Sequence, residues 1–199
     1  MMLGVKDVAR LLCVSEKTIY RWISKNDIPV YKLNEIYRFN KLELMEWATS
    51  KKLNVSYEIF DYNNNEPVNR ISISDLVSAG GIYYHVSGKT KENVLRSIVN
   101  LMNIPDDIDR DYLFNSLMAR ENLGSTAIGE GVAIPHVRNP IVLHINRPVV
   151  SICFLDEPMD FNALDGKPVD TVFTILSNSI KVHLSILSKI SFILHQENI

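Results

Sequence analysis

His136 is the residue of this chain best placed to do chemistry. It closes the stretch Gly129-Glu130-Gly131-Val132-Ala133-Ile134-Pro135-His136. Val132-Ala133-Ile134 is a short apolar run that predicts a buried strand. Pro135 lacks the N–H that a sheet ladder needs, so the strand is expected to stop there. His136 then falls just past a strand end, where open α/β sheets gather their ligands. Gly129 and Gly131 allow the backbone before the strand to turn sharply. An imidazole at that place, with a ring nitrogen free, can act as a nucleophile near neutral pH. By residue type alone, a single histidine after a strand is more often a satisfied structural residue.

Other chemistries find little support. Gly88-Lys89-Thr90 imitates the end of a phosphate-binding loop, but that motif needs glycine at 83, where Tyr83 stands, so a turn and helix cap are expected instead. There is no H-E-x-x-H, no clustered cysteine and no spaced carboxylate set, so no metal site is expected. No G-x-S-x-G and no Ser/His/Asp order points to hydrolysis. Cys13 and Cys153 are far apart and are expected to be two reduced thiols, small buried residues of a cytoplasmic protein. His183 lies on the apolar face of an expected helix, four residues before Leu187, where a core histidine held by one hydrogen bond is the plain reading. His85, His144 and His195 are assigned to structure or surface.

The segment Leu117-Met-Ala-Arg120-Glu-Asn-Leu-Gly124-Ser125-Thr126, running on through Gly129-x-Gly131-x-Ala133-Ile134-Pro135-His136, resembles enzyme IIA of the bacterial sugar phosphotransferase system. The similar class is the fructose, mannitol and nitrogen-regulatory one, and the resemblance covers about residues 74–199. It implies that His136 accepts a phosphoryl group from the histidine phosphocarrier protein, the phosphate coming ultimately from phosphoenolpyruvate. Such transfer has a loose transition state, and the protein supplies positioning and charge stabilisation. Arg120 stands where the family has an arginine, and its planar fork suits phosphate oxygens. The resemblance gives His183 a supporting role, and Ser125 and Thr126 could add hydroxyl or backbone donors. Glu130 would face either a partner or water. No cofactor is implied. The family continues with further helix beyond Ile199, so the resemblance implies a domain shortened at its C-terminal end.

Elements that would position these residues can be traced along the 199 residues. Ser74-Asp75-Leu76-Val77 opens a short helix ended by Gly80-Gly81, and Ile82–Val86 is a strand candidate. A helix runs to Met102 with Leu95, Ile98, Val99 and Met102 inward, and another, carrying Leu113 and Leu117, runs to about Asn122 and stops at Gly124. Strands are expected at Val149–Leu155 and Val169–Ile175, then a final helix capped by Asn178 or Ser179. Alternating helices and buried strands argue for an α/β domain with a central mixed sheet flanked by helices.

The first fifty residues differ in character. Residues 1–52 carry ten Lys/Arg against six Asp/Glu, while the rest carries eleven against seventeen. A basic segment ahead of an acidic body suggests a nucleic-acid partner for the first part. Val5, Val8, Ala9 and Leu12 recur at helical spacing, Ser15 is a good N-cap, and Ile19, Trp22 and Ile23 give a second helix its apolar face. Val30–Leu33 and Ile36–Phe39 flank Asn34-Glu35 as a hairpin, and Asn40 with Glu43 caps a third helix. Val14-Ser-Glu-Lys-Thr-Ile-Tyr-Arg-Trp-Ile23 and Tyr37-Arg38-Phe39 resemble the excisionase/MerR-type winged helix-turn-helix family. That implies a small α+β winged helix-turn-helix, with Lys17, Thr18 and Arg21 toward the DNA groove and Lys32 and Arg38 on phosphates.

The expected organisation is therefore residues 1–50 as a DNA-binding module, 51–72 as a polar linker, and 73–199 as the enzyme IIA-like domain. Val55–Phe60 is too short a run to assign as a strand. The chain reads as a phosphohistidine phosphocarrier, not an independent turnover enzyme, coupling phosphorylation to DNA binding and transcriptional regulation. The alternative is a plain phosphocarrier passing phosphate to an enzyme IIB, its N-terminal module serving protein contacts. A homodimer is compatible with paired half-sites. No apolar run reaches the roughly 18 residues of a membrane span, and no signal-peptide pattern opens the chain.

Overall fold

In the computed structural model, residues 2–33, 35–51, 53, 72–140 and 145–194 are described. The expected linker core with Val55–Phe60, together with Asn34, His144 and His195, lies outside them. The chain divides into two compact units, residues 70–187, and residues 1–69 with 188–199.

In the first unit, α1 (Val5–Leu11) and α2 (Glu16–Ser24) are joined through Cys13, whose φ of 52° makes the sharp turn between them. Ser15 caps α2 as expected, its Oγ accepting the Thr18 N–H at 3.2 Å. β1 (Met2–Leu3), β2 (Tyr31–Leu33) and β3 (Ile36–Asn40) form an antiparallel sheet with β3 in the centre. The hairpin was legible in the sequence; β1 is too short to leave a periodic signal. Asn40 Oδ1 caps α3 (Lys41–Ser50) by accepting from Leu42 and Glu43 N–H. Glu43 also reaches back to the wing, accepting from the Tyr31 hydroxyl at 2.7 Å. Val8, Leu11, Ile19, Phe39, Leu44 and Met45 are fully buried. Trp22 and Trp47 meet edge to face at 5.3 Å.

The second unit is a five-stranded mixed sheet in the order β4 (Ile82–Val86), β7 (Val149–Met159), β8 (Val169–Leu176), β6 (Val132–Ala133), β5 (Ala127–Gly129). β4 and β7 run parallel, as do β6 and β8, while the β7–β8 and β5–β6 pairs are antiparallel. The helices are α4 (Ile73–Gly80), α5 (Lys91–Leu101), α6 (Arg110–Asn122) and α7 (Ile180–Leu194). Each of the first three has the cap its sequence offers: Ser72, Thr90 and Asp109. Thr90 therefore does the plain work of a cap, not of a nucleotide loop. α4 ends against β7 so closely that a Cβ on Gly80 would lie 2.2 Å from the Val150 carbonyl oxygen. Val94, Leu95, Ile98, Leu113 and Leu117 from α5 and α6 join Cys153, Val172 and Phe161 in one apolar core. Among the described residues no helix is long and apolar enough to cross a membrane.

The cysteines part company. Cys153 is buried in β7, but Cys13 is exposed, correcting the expectation that both are buried. Burial pushes the Cys153 thiol from its ordinary 9.0 up to about 12. In the unfolded chain the thiol ionises near 9, so between pH 9 and 12 only the unfolded state loses this proton. The Cys153 contribution to stability is therefore complete below pH 9 and declines as pH rises to 12. Iodoacetamide should label Cys13 alone in the native protein at pH 8, with Cys153 reacting only in denaturant; mass spectrometry of the two peptides checks this.

Candidate functional site

The site begins at the end of α6. Arg120 and Glu121 are charged yet buried. Arg120 donates through Nη1 to the Gly124 carbonyl at 2.8 Å, folding the chain back over the helix end. Glu121 Oε1 meets Lys91 Nζ at 2.9 Å, and its Oε2 accepts from both the backbone N–H (3.0 Å) and hydroxyl (2.6 Å) of Thr126. Lys91 Nζ also donates to the Phe161 carbonyl at 3.2 Å and lies over the Phe161 ring. The Ser125 hydroxyl donates to that same carbonyl and accepts from the Ala127 N–H. Buried charges are tolerated when paired and saturated with hydrogen bonds in this way.

This network delivers the chain into β5. Ala127 pairs with Ala133 and Gly129 with Val132, leaving Glu130-Gly131 as a two-residue turn. Its residues have φ of 52° and 77°, the positive pair that a type I′ hairpin demands. Gly131 serves that turn and also a close approach, because its carbonyl accepts from Asp170 and Thr171 N–H at the start of β8. Glu130 faces outward, its carboxylate on Lys167 and its N–H on Asp165.

After β6 the chain does not leave the sheet at Pro135. Ile134 N–H donates to the Thr126 carbonyl, Ile175 N–H donates to the Pro135 carbonyl at 3.2 Å, and His136 forms a parallel bridge with Ile175. Pro135 lacks a donor but still accepts. His136 is consequently buried, only 3% exposed, and not at the open strand end the sequence suggested. Its Nδ1 lies 2.7 Å from the Ile134 carbonyl oxygen. A carbonyl can only accept, so Nδ1 carries a proton, and in the neutral ring the lone pair is then on Nε2.

The second histidine comes from α7. Ser179 Oγ caps this helix by accepting from Val182 N–H, the second of the two caps the sequence offered. His183 is therefore in the first turns, near the partial positive charge of the helix amino end. It is fully buried, with Nδ1 3.1 Å from Ser177 Oγ. The His136 and His183 rings lie 5.2 Å apart between centroids, tilted by 49°.

Of the expected site residues, His136 and His183 are thus brought together. Ser125 and Thr126 are built into the brace: their hydroxyls are engaged by the Phe161 carbonyl and the Glu121 carboxylate, and the Thr126 N–H by Glu121 as well. Glu121 was missed by sequence reasoning, although a glutamate followed by Gly-Ser-Thr was the signal. His85 is a surface residue paired with Asp156 at 2.9 Å. In the first unit, Lys17 and Arg21 are exposed on α2, Thr18 bonds its hydroxyl to Ser15, and Lys32 pairs with Glu35 at 2.6 Å. Arg38 lies on β3 beside Gly4. Tyr20 of α2 meets Tyr37 of the wing edge to face at 6.2 Å.

Glu121→Gln should destabilise the second unit by roughly 3 kcal/mol, because Lys91 is left without its charge partner in a largely buried place. Thr126→Val should cost about 1 kcal/mol. Urea titrations of both variants, followed by a signal from the second unit, check the order.

Comparison with known proteins gives the family and the fold. The family model described as "Phosphoenolpyruvate-dependent sugar phosphotransferase system, EIIA 2" matches residues 75–199, and a "Helix-turn-helix domain" model matches residues 2–52. A nitrogen regulatory protein of Pseudomonas aeruginosa is 36% identical over 133 residues, 65% of this chain and 84% of the relative. The fructose-specific EIIABC component of Bacillus subtilis is 31% identical over 132 residues, 65% of this chain but 20% of that longer protein. The crystal structure of nitrogen regulatory protein IIA-Ntr from Neisseria meningitidis superposes with a TM-score of 0.52 at 32% identity, covering 58% of this chain and 79% of that one.

Proposed function

The chain belongs to the EIIA 2 family of the phosphoenolpyruvate-dependent sugar phosphotransferase system, and from that membership we propose that its second unit accepts a phosphoryl group on Nε2 of His136 from the histidine phosphocarrier protein. The observation that carries the proposal is the Ile134 carbonyl on His136 Nδ1. It places the lone pair on Nε2 before the donor arrives, and the same hydrogen bond is kept once Nε2 is substituted. The Nε2 lone pair attacks phosphorus, the phosphorus–nitrogen bond of the donor breaks, and its electron pair returns to the donor imidazole. His183 beside the ring, on the positive end of α7, supplies a donor for the phosphoryl oxygens. Arg120 holds the α6–β5 turn and adds cationic charge. Because His136 is nearly enclosed, a neighbouring side chain must move aside for the donor to reach it.

The helix-turn-helix unit supports DNA as a second partner, with Lys17, Thr18 and Arg21 at the groove and Lys32 and Arg38 on phosphates. The nitrogen regulatory names of the P. aeruginosa and N. meningitidis relatives, joined to such a unit, favour transcriptional regulation coupled to phosphorylation over bulk uptake. An enzyme IIB is the onward acceptor in the transport reading.

Incubation with phosphoenolpyruvate, enzyme I and the histidine phosphocarrier should put acid-labile phosphate on the intact protein, and His136→Ala should abolish it with the fold retained. Full labelling of a folded His136→Ala protein would move the acceptor to another residue. Arg120→Lys should slow transfer about tenfold, since a point charge replaces a fork; unchanged quench-flow rates would reduce Arg120 to a structural brace. Binding to duplex DNA should weaken steeply with salt; Arg21→Ala or Lys17→Ala should weaken binding, and Lys32→Ala or Arg38→Ala should each lower the slope of log affinity against log salt by about one. Gel shifts without binding at low salt would leave the first unit to protein contacts. Equal operator affinities for phosphorylated and unphosphorylated protein would remove the regulatory coupling.

A further inference from the structure

A second opening in the α/β unit lies at the sheet end where β7 begins and β8 stops. It is a cavity of about 360 Å³. Its floor is made by Ile104, Ile145, Val149 and Leu176, all buried. Its rim carries Asn103, Asn146 and Arg147. Arg147 is exposed, and among the described residues its guanidinium has no hydrogen-bond or ion-pair partner. Asn103 donates its Nδ2 to the Ala79 carbonyl at 3.3 Å, which fixes the amide. Asn146 is exposed and accepts on its backbone carbonyl from Asn178.

We propose that this cavity is a binding site for a small monocarboxylate with a short branched apolar body. An apolar floor with few polar groups at its mouth is the usual make-up of a small-molecule site, and this volume lies within the usual range. Arg147 offers the two parallel donors that a carboxylate accepts in bidentate fashion. Among the described residues the rim holds a single cation, which balances one negative charge and not the two of a phosphate monoester. The four aliphatic floor residues exclude a fully polar ligand, because burying its hydroxyls there without partners is costly. The amides of Asn103 and Asn146 accommodate one polar substituent next to the carboxylate. The site is separate from the histidine pair, yet Leu176 on its floor is followed directly by Ser177, whose hydroxyl contacts His183.

The test uses the full chain, 15N-labelled, titrated with 4-methylpentanoate, with its amide 4-methylpentanamide, and with inorganic phosphate. The carboxylate should produce saturable shifts at the amides of Ile104, Ile145, Val149 and Leu176, and the neutral amide and phosphate should not. Arg147→Ala should weaken the carboxylate about tenfold or more, with Arg147→Lys intermediate. Asn146→Trp, an exposed change that closes the mouth, should abolish the shifts without altering the charge. Shifts absent for the carboxylate, equal for all three probes, or unchanged in Arg147→Ala would each overturn the site.

Discussion

The second unit depends on one buried carboxylate. Glu121 sits at the end of α6 with almost no access to water, and it binds three donors from two separated segments. An ion in such a place is tolerated only if its partners are held in position, so the carboxylate in effect dictates where Lys91 and Thr126 must be. Lys91 in turn pins the Phe161 carbonyl, and Ser125 pins it a second time. The start of α5, the end of α6, the entry to β5 and the loop after β7 are tied through this one group. Its energetic value as an ion pair is small against an apolar substitute, but its directional value is high, since a wrongly placed donor would leave a charge unmatched.

From that anchor the geometry of the histidines follows step by step. Thr126, held on Glu121, offers its carbonyl to Ile134. Ile134, held in turn, offers its carbonyl to His136 Nδ1. The proton on the histidine is thus assigned by a chain of hydrogen bonds that starts at a glutamate on another element. The β6–β8 pairing continues past Pro135 through the Ile175 bridge, and Ile175 lies two residues before Ser177, the contact of His183. Both imidazoles are therefore referenced to the same strand, which gives the pair a defined separation.

Much of this was legible in the sequence where the determinants are local. Ser15, Asn40 and Thr90 announce helix starts because a cap acts within three residues. Gly129 and Gly131 announce a turn because their conformations are needed there. The bracing contacts of Ser125 and Thr126 were not legible because their hydroxyl partners are set by the tertiary fold: Phe161 lies thirty-six residues from Ser125. By type, a serine and a threonine before a reactive histidine suit phosphate and suit a buried brace equally. Cys13 was misread because burial statistics for cysteine say nothing of a residue placed in a left-handed turn. His136 was placed correctly along the chain but not in depth, since a proline that ends donation does not end pairing.

The Glu130-Gly131 turn has a consequence for how this domain can vary. Side chains alternate faces along a strand, and the hairpin already holds one register shift between Ala127 and Gly129, so a residue gained or lost within β6 itself would turn the later side chains of that strand over. The turn is already at the shortest length that antiparallel strands allow, and Gly131 also carries the carbonyl that receives β8. Shortening is thus forbidden here, and lengthening would have to keep the Gly131 carbonyl where β8 meets it. The β7–β8 connection is freer, but only at its tip, where Gly166 has open space around it and Leu164 is 75% exposed; Phe161, Asp165 and Lys167 hold the rest of it in place. A peptide tag introduced by an experimenter belongs at that tip; a codon lost from the turn before β6 would leave Gly129 and Val132 unable to pair.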